Sequence, residues 1–426
     1  MDVKIEKLIY GGDGLAHHEG ATVFVPFVLP GETVAVVPTE TKKKFVRGRL
    51  ESVLTPSPER IEADCPHFLI CGGCHYQHIS YAAQLGYKEQ ILRETLRRIG
   101  KIDWTGPIVV HASPPWGYRN RAQWRVRESG IDDAPQIGYF QASSTAIVPI
   151  ETCPILSPRI LATFHAIREL LSSGGLPPSL REVEAFADER DESVLLTLTY
   201  GKFPKTLSET QQLLREKIPA LASVLFQDVQ QNRMELKGPG SLNYSVGEFR
   251  YRVSHLSFFQ VNRFLVGEMA QAVVEAAGTR ELAVDIFAGV GLFSLPLSRK
   301  FRRVIAAESN PVAVRDFKDN AAAPENRATN KIEIRESDSV EFLSRARQKT
   351  DCVVLDPPRA GLGVEGTAAL RKVGPATIVY VSCEPSTMAR DLEILVAQGY
   401  AVSVVHLFDL FPQTFHIESM VKLVKR

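Results

Sequence analysis

Long apolar runs are missing from this chain of 426 residues: nowhere do about 18 uninterrupted apolar positions occur, the length a helix needs to span a bilayer. Met1 is followed by Asp2-Val3-Lys4-Ile5-Glu6 rather than by a basic and then an apolar segment. A secretory leader and a membrane partner are therefore not expected, and the expected compartment is the cytoplasm. A charge excess is missing too, since 50 Lys and Arg face 49 Asp and Glu for a formal +1; the chain as a whole does not announce a polyanionic partner. Internal repeats, low-complexity tracts and heptads are absent, so a monomer is expected. What remains, 44% hydrophobic and 23% charged residues, excludes wholesale disorder and a coiled-coil rod. The length asks for two or three domains.

Cysteine is scarce, six in all, and unevenly placed. Cys65, Cys71 and Cys74 fall within ten residues, Cys153 follows later, and Cys352 and Cys383 lie far downstream. In a reducing compartment such a cluster reads as a metal site rather than a disulfide framework. Cys65-x5-Cys71-Gly-Gly-Cys74 with Cys153-Pro154 supplies four thiolates, which suit tetrahedral zinc or an iron-sulfur cluster, and spacing alone does not decide between them. The fourth cysteine argues for a closed, non-radical cluster; His67, His75 and His78 keep zinc open.

Charge is asymmetric locally. Between Thr41 and Arg60 the residues Lys42, Lys43, Lys44, Arg47, Arg49 and Arg60 face only Glu51 and Glu59, and Arg119, Arg121, Arg125 and Arg127 alternate with Tyr118, Asn120, Gln123 and Trp124. Cations neutralise phosphates while rings and amides stack on or read bases, so both runs suit nucleic acid; solvated faces are the plain alternative.

The pattern along the chain implies a multidomain α/β protein. Short strands with Gly and Pro between them over residues 1–57 suggest a small β-barrel. Residues 58–250 read as a mixed α+β region carrying the cysteine site, with a helix from Ser80, a candidate N-cap, to a stop at Gly100. Over 251–426, apolar runs at Leu282–Phe287, Val304–Ala307, Ile332–Ile334, Cys352–Leu355 and Ile378–Val381 alternate with helix-sized segments, the mark of a parallel, doubly wound Rossmann-like sheet that binds its ligand at the carboxyl ends of its strands.

Four motifs fall at such ends. In Asp285-Ile286-Phe287-Ala288-Gly289-Val290-Gly291-Leu292-Phe293-Ser294, the glycines let backbone approach a nucleoside, and Glu308 ends the next strand, where a carboxylate accepts from ribose hydroxyls. The third glycine of a dinucleotide site is missing near Ser294, which disfavours pyrophosphate and favours a phosphate-free nucleoside cofactor such as S-adenosylmethionine. Asp356-Pro357-Pro358-Arg359 holds an Asp at the cleft rim on a stiff exit. Ser382-Cys383-Glu384-Pro385 sets a thiol near a helix N-terminus, although Cys383 alone reads as an inert buried cysteine. Phe411-Pro412-Gln413-Thr414-Phe415-His416-Ile417-Glu418 precedes a final strand, and its Glu is a base or a solvated edge residue.

In this order the segments resemble the RNA uracil-5 methyltransferases, which make 5-methyluridine in 23S ribosomal RNA and transfer RNA. The resemblance implies that residues 1–57 are a TRAM domain, an OB-like RNA-binding barrel, that Cys65, Cys71, Cys74 and Cys153 ligate a 4Fe-4S cluster, and that 251–426 is the catalytic domain, marked also by Phe258-Phe259-Gln260-Val261-Asn262. It further implies that Gln260, Phe287, Leu292, Glu308, Asp338 and Asp356 line the S-adenosylmethionine and uracil pockets, with Cys383 as nucleophile, Glu418 as proton acceptor and Asp356 holding the ring. Leu292 departs from several relatives, which have Asn there. Lys42, Lys43, Lys44, Arg119, Arg121 and Arg125 become phosphate contacts that hold RNA in register. By analogy the expected substrate is 23S ribosomal RNA; transfer RNA and a catalytically inactive RNA-binding relative are the alternatives.

Overall fold

The computed structural model describes residues 1–127, 135–205, 207–326 and 331–426. Its first sheet has six strands in the order Asp2–Lys4, Thr33–Thr41, Phe45–Thr55, Ala21–Pro26, Asp13–His18 and Lys7–Leu8. Side chains alternate, so Val23, Val25, Val34 and Val36 turn inward with Val3, Ile5, Ala16 and Val28 to form a small core of their own, as period-2 patterning requires. Lys42, Lys43 and Lys44 sit exposed at the turn joining Thr33–Thr41 to Phe45–Thr55.

A seven-stranded sheet follows, ordered Ile147–Pro149, Gln136–Phe140, Arg121–Arg127, Leu180–Ala187, Val194–Tyr200, Leu221–Asp228 and Arg233–Lys237. Helices Pro158–Ser172 and Leu207–Lys217 pack into its core, which includes Trp124, Phe164, Leu196 and Leu214. A separate hairpin, Ser241–Val246 with Phe249–Ser254, is tied to helix Pro311–Ala322 through buried Asp316, which accepts from the Ser254 amide at 2.7 Å and from the Ser254 and Ser257 hydroxyls at 2.6 and 2.7 Å.

The third sheet has eight strands in the order Ile332–Glu336, Phe301–Glu308, Arg280–Ile286, Cys352–Leu355, Thr377–Ser382, Glu418–Lys425, Tyr400–Phe408 and Ile108–His111. Its central strands are largely apolar because both faces are covered: Val284, Val353, Leu355 and Ile378 face one core, while Ala283, Cys352, Val354 and Val379 face the other. Full burial of each such aliphatic side chain stabilises the fold by about 1.5–3 kcal/mol. The expectation of a parallel sheet holds for the first five strands; Glu418–Lys425 runs antiparallel to Thr377–Ser382. The chain before residue 250 also contributes, since Ile108–His111 pairs parallel with Tyr400–Phe408 and helix Tyr81–Arg98 shares a core with helix Pro385–Ala397 through Leu92, Leu96, Met388 and Leu392. Ser80 caps that helix as its sequence suggests, accepting from the Ala83 amide at 3.4 Å.

Candidate active site

Strand order reverses between the neighbours Arg280–Ile286 and Cys352–Leu355, where Ile286 pairs with Leu355. Loops leaving the carboxyl ends at such a reversal open a ligand crevice. Phe287 and Asp356 are the first residues past those two ends. Phe287 has φ 61°, a left-handed conformation that is strained for a bulky residue, and its amide donates to Ser339 Oγ at 3.1 Å. Gly289 has φ 55° and open space where a Cβ would stand, and its amide donates to Glu308 Oε2 at 2.8 Å. Glu308 Oε1 accepts from the Ser309 and Asn310 amides at 2.8 and 2.7 Å, so this carboxylate is fixed at the crevice edge.

Four residues expected near the cofactor are placed differently from one another. A Cβ on Gly291 would stand 2.4 Å from Phe317, so this glycine serves close packing of helix Pro311–Ala322. Leu292 is 8% exposed and packs in the core, and its carbonyl accepts from the Tyr251 hydroxyl at 3.0 Å. Asp338 is exposed and caps helix Ser339–Arg345, accepting from the Val340 and Glu341 amides at 2.9 Å each through one oxygen. Gln260 is buried. Two residues on, Asn262 latches the loop by donating to Ser113 Oγ at 3.0 Å and the Leu410 carbonyl at 3.2 Å.

Cys383 and Glu418 meet because of strand direction. Cys383 follows the carboxyl end of Thr377–Ser382, and Glu418 opens the antiparallel strand Glu418–Lys425; Ser382 pairs with Ser419, so the two residues flank one edge of the sheet. Asp356, half-buried, ends the strand on the other side of Thr377–Ser382. Burial, with the Glu418 and Asp356 carboxyls, pushes the Cys383 thiol up to about 11, and the Arg359 guanidinium opposes that rise. Glu418 is buried, and burial together with the Asp356 carboxyl drives it well above the ordinary glutamate range; burial also raises Asp356. Two like charges at such range cannot both be ionised cheaply. Cys352, by contrast, lies inside a strand with its thiol pushed up to about 12 by burial, as an inert core cysteine does.

The loop leading to Glu418 is held from below. Lys88, fully buried on helix Tyr81–Arg98, pairs with Asp409 at 2.5 Å and donates to the Phe411 carbonyl at 3.0 Å. Gln84 donates to Gln413 Oε1 at 3.0 Å and accepts from its amide at 3.0 Å, and the Tyr118 hydroxyl donates to the Pro412 carbonyl at 3.0 Å.

Cys65, Cys71, Cys74 and Cys153 line a single cavity of about 210 Å³ together with His67 and Arg119. Burial pushes the Cys74 and Cys153 thiols up to about 12, each raised further by its neighbouring cysteines and lowered by Arg119. Among the described residues no group of three or more His, Cys, Asp or Glu is arranged to hold a metal ion. Of the three histidines, only His67 reaches the cavity, and its Nε2 accepts from the Glu151 amide at 3.0 Å; His78 packs between Phe27 and Phe68, and His75 against Phe415.

The second basic run is not the free patch its sequence suggests. Arg119 faces the cysteine cavity. Arg121 pairs with Glu184 at 2.8 Å, donates to the Ser257 carbonyl at 2.9 Å and covers the Phe186 ring, so its guanidinium is spent inside the fold. Arg125 pairs with Glu182 and lies over Phe140 at 5.2 Å, with 39% of its side chain exposed. Tyr118, Asn120 and Trp124 are fully buried and offer no stacking surface. Sequence reasoning passed over two groups at the site: Arg359, visible in the Asp-Pro-Pro-Arg string, and Tyr10, for which a lone tyrosine in a barrel turn gives no signal.

The sequence profile of the tRNA (Uracil-5-)-methyltransferase family matches residues 80–426, and that of the TRAM domain residues 1–50. The chain belongs to the RNA uracil-5 methyltransferase family. It is 33% identical to the 23S rRNA (uracil(1939)-C(5))-methyltransferase RlmD of Shewanella piezotolerans, over 99% of this chain and 94% of that one. It is 34% identical to an uncharacterized RNA methyltransferase of Aquifex aeolicus over 99% and 98% of the two. Among solved structures, the Pyrococcus abyssi tRNA (uracil-54, C5)-methyltransferase in complex with S-adenosyl-L-homocysteine superposes over all of both chains with a TM-score of 0.76 at 25% identity. As a member of this family, the chain is an enzyme that transfers a methyl group from S-adenosylmethionine to carbon 5 of a uridine in RNA. No helix among the described residues is long and apolar enough to cross a membrane.

Proposed function

We propose that the substrate is a uridine of 23S ribosomal RNA, methylated in the cytoplasm by a monomer divided into an RNA-binding barrel (1–57), a middle region (58–250) and a catalytic region (251–426). The full-length similarity to 23S enzymes at 33–34% identity favours ribosomal over transfer RNA. The single observation that carries the catalytic reading is the convergence of Cys383, Glu418 and Asp356 on one edge of the sheet, beside the crevice formed by Phe287, Gly289 and Glu308.

S-adenosylmethionine supplies an electrophilic methyl group on a sulfonium sulfur. Carbon 5 of uracil is a weak nucleophile, and addition of the Cys383 thiolate to carbon 6 turns the ring into an enolate with charge on carbon 5 and oxygen 4. Arg359, exposed beside the thiol, stabilises the thiolate before addition. Glu418 takes the carbon 5 proton after methylation, and expulsion of the thiolate restores the ring; a buried carboxylate with a raised pKa is a stronger base than a solvated one. Asp356 and Gln260 orient the ring. Glu308 holds ribose hydroxyls, and Asp338, which caps helix Ser339–Arg345 through one oxygen, lines the cofactor pocket. The target base leaves its stack to reach the thiol, while Lys42, Lys43 and Lys44, with the exposed part of Arg125, hold phosphates.

Cys65, Cys71, Cys74 and Cys153 are our proposed ligands for a 4Fe-4S cluster. A tetrahedral zinc with bonds of about 2.3 Å would draw four sulfurs to roughly 3.8 Å from one another, whereas a cluster holds them farther apart; four cysteines around a 210 Å³ cavity that do not converge on one point suit the larger group. Arg119 would offset its negative charge. No step of the reaction uses it, and its role is to staple the 65–74 loop to the middle sheet.

The test is to map 5-methyluridine in 23S ribosomal and transfer RNA from cells lacking the gene. Loss of one 23S site with transfer RNA unchanged is expected; loss confined to transfer RNA overturns the substrate assignment.

A further inference from the structure

The barrel is not merely tethered to the catalytic sheet. Its tight turn, closed by Ile9 N donating to the Asp13 carbonyl at 2.9 Å, is set into the catalytic face. Lys7 pairs with Glu94 at 2.5 Å, Leu8 is buried in the catalytic core, and Tyr10 meets Phe415 edge-on at 5.5 Å between ring centroids. The Tyr10 hydroxyl donates to Glu384 Oε2 at 3.0 Å and lies 3.4 Å from the Cys383 carbonyl oxygen.

Glu384 is the N-cap residue of helix Pro385–Ala397, yet its side chain makes no bond to that helix's amides. Its carboxylate instead accepts from Tyr10 through Oε2 and from Ser386 Oγ through Oε1 at 2.5 Å, while the Glu384 amide donates to Ser382 Oγ at 3.0 Å. The residues on both sides of Cys383 are thus fixed, one of them from the barrel. Burial and the neighbouring Glu384 carboxylate push the Tyr10 phenol far up, so it stays a donor at every working pH. On the same sheet, Lys42, Lys43 and Lys44 stand in solvent.

We infer that Tyr10 is a positioning residue of the methyl-transfer reaction: through Glu384 it sets the loop that carries the Cys383 thiol, and so makes the RNA-binding barrel a structural part of the active site. This rests on Cys383 being the nucleophile. Removing the hydroxyl alone, by Tyr10→Phe, keeps the ring contact with Phe415 and leaves the loop free to drift; misplacement by about 1 Å costs on the order of 100-fold in rate, so a fall of about tenfold is expected from partial loosening.

The experiment measures single-turnover formation of the covalent complex between full-length enzyme and 5-fluorouridine-containing RNA with S-adenosylmethionine, alongside equilibrium binding of the same RNA sequence carrying ordinary uridine. Tyr10→Phe is expected to slow complex formation about tenfold with RNA affinity within about twofold of wild type. Glu384→Ala, which removes the acceptor together with its Ser386 bond, is expected to slow it at least as much, and the double variant no more than Glu384→Ala alone, because the Tyr10 hydroxyl acts through that carboxylate. A Tyr10→Phe rate within about twofold of wild type, a rate loss matched by lost RNA affinity, or multiplicative effects in the double variant overturns the inference. Cys383→Ala, run in parallel, separates the two readings: a complex that still forms sinks the nucleophile assignment itself.

Discussion

Ser382 and Ser419 are register partners across an antiparallel strand pair, and from that pairing follows the placement of Cys383 beside Glu418. A parallel last strand would have delivered the glutamate to the opposite end of the sheet. The reversal of one strand therefore decides whether thiol and acid share a substrate.

The thiol carries the first prediction. With Cys383 pushed up to about 11, the thiolate is a small fraction at neutral pH, and that fraction rises about tenfold per pH unit below the pKa. Trapping rates on 5-fluorouridine RNA are expected to rise with a logarithmic slope near one between pH 7 and 9. Arg359 opposes the rise of the thiol pKa, so Arg359→Gln should lower the rate at pH 8 about tenfold while keeping the slope. A flat profile would mean that addition is not governed by this proton.

Asp285 gives a stability prediction. It is buried, its pKa is raised to about 7 by burial and by the Asp356 and Glu308 carboxylates against the Ser294 hydrogen bond, and one of its oxygens has no partner. A folded pKa above the unfolded value means stability that is full below about pH 4 and is lost as pH rises toward 7. Asp285→Asn mimics the protonated side chain. Its stability should match wild type only at about pH 4 and below and exceed it increasingly as pH rises, by about 3–4 kcal/mol at pH 8; a difference that does not grow between pH 4 and pH 8 would contradict the account.

Lys88 and Asp409 test the support beneath Glu418. Both side chains are fully buried, so Lys88→Met strands a carboxylate and should cost about 3–5 kcal/mol in chemical denaturation, most of which Lys88→Met with Asp409→Leu should restore. A double variant as weak as the single one would show that the pair is needed as a pair.

The cysteine cavity predicts about four iron atoms per chain in protein purified without oxygen. Cys153→Ala should lower iron content and melting temperature together while leaving trapping on 5-fluorouridine RNA detectable. Stoichiometric zinc in place of iron would refute the cluster.

Much of this was legible in the sequence. The strand Cys352–Leu355 has the bounds its apolar run implies, because a strand covered on both faces carries no polar positions to blur it. Ser80 caps its helix because an N-cap hydroxyl is a local device. Direction was not legible: the apolar pattern of Glu418–Lys425 is the same read either way. Nor was Ile108–His111, four residues that count as a strand only because Tyr400–Phe408 offers an open edge. The ion pairs of the arginine run were hidden for a related reason, since Glu182 and Glu184, which pair with Arg125 and Arg121, lie some sixty positions away and arrive by antiparallel pairing. The contact of Tyr10 with Glu384 spans even more of the chain and leaves no trace in either segment.

The most direct measurement is mass spectrometry of the complex trapped on 5-fluorouridine RNA with S-adenosylmethionine, digested to peptides and nucleotides. The account predicts one modified peptide, carrying a methylated fluorouridine on Cys383, and a Glu418→Gln enzyme that builds up the equivalent adduct on ordinary uridine RNA. A nucleotide on another of the six cysteines, or full turnover by Cys383→Ala with no adduct anywhere, would contradict it.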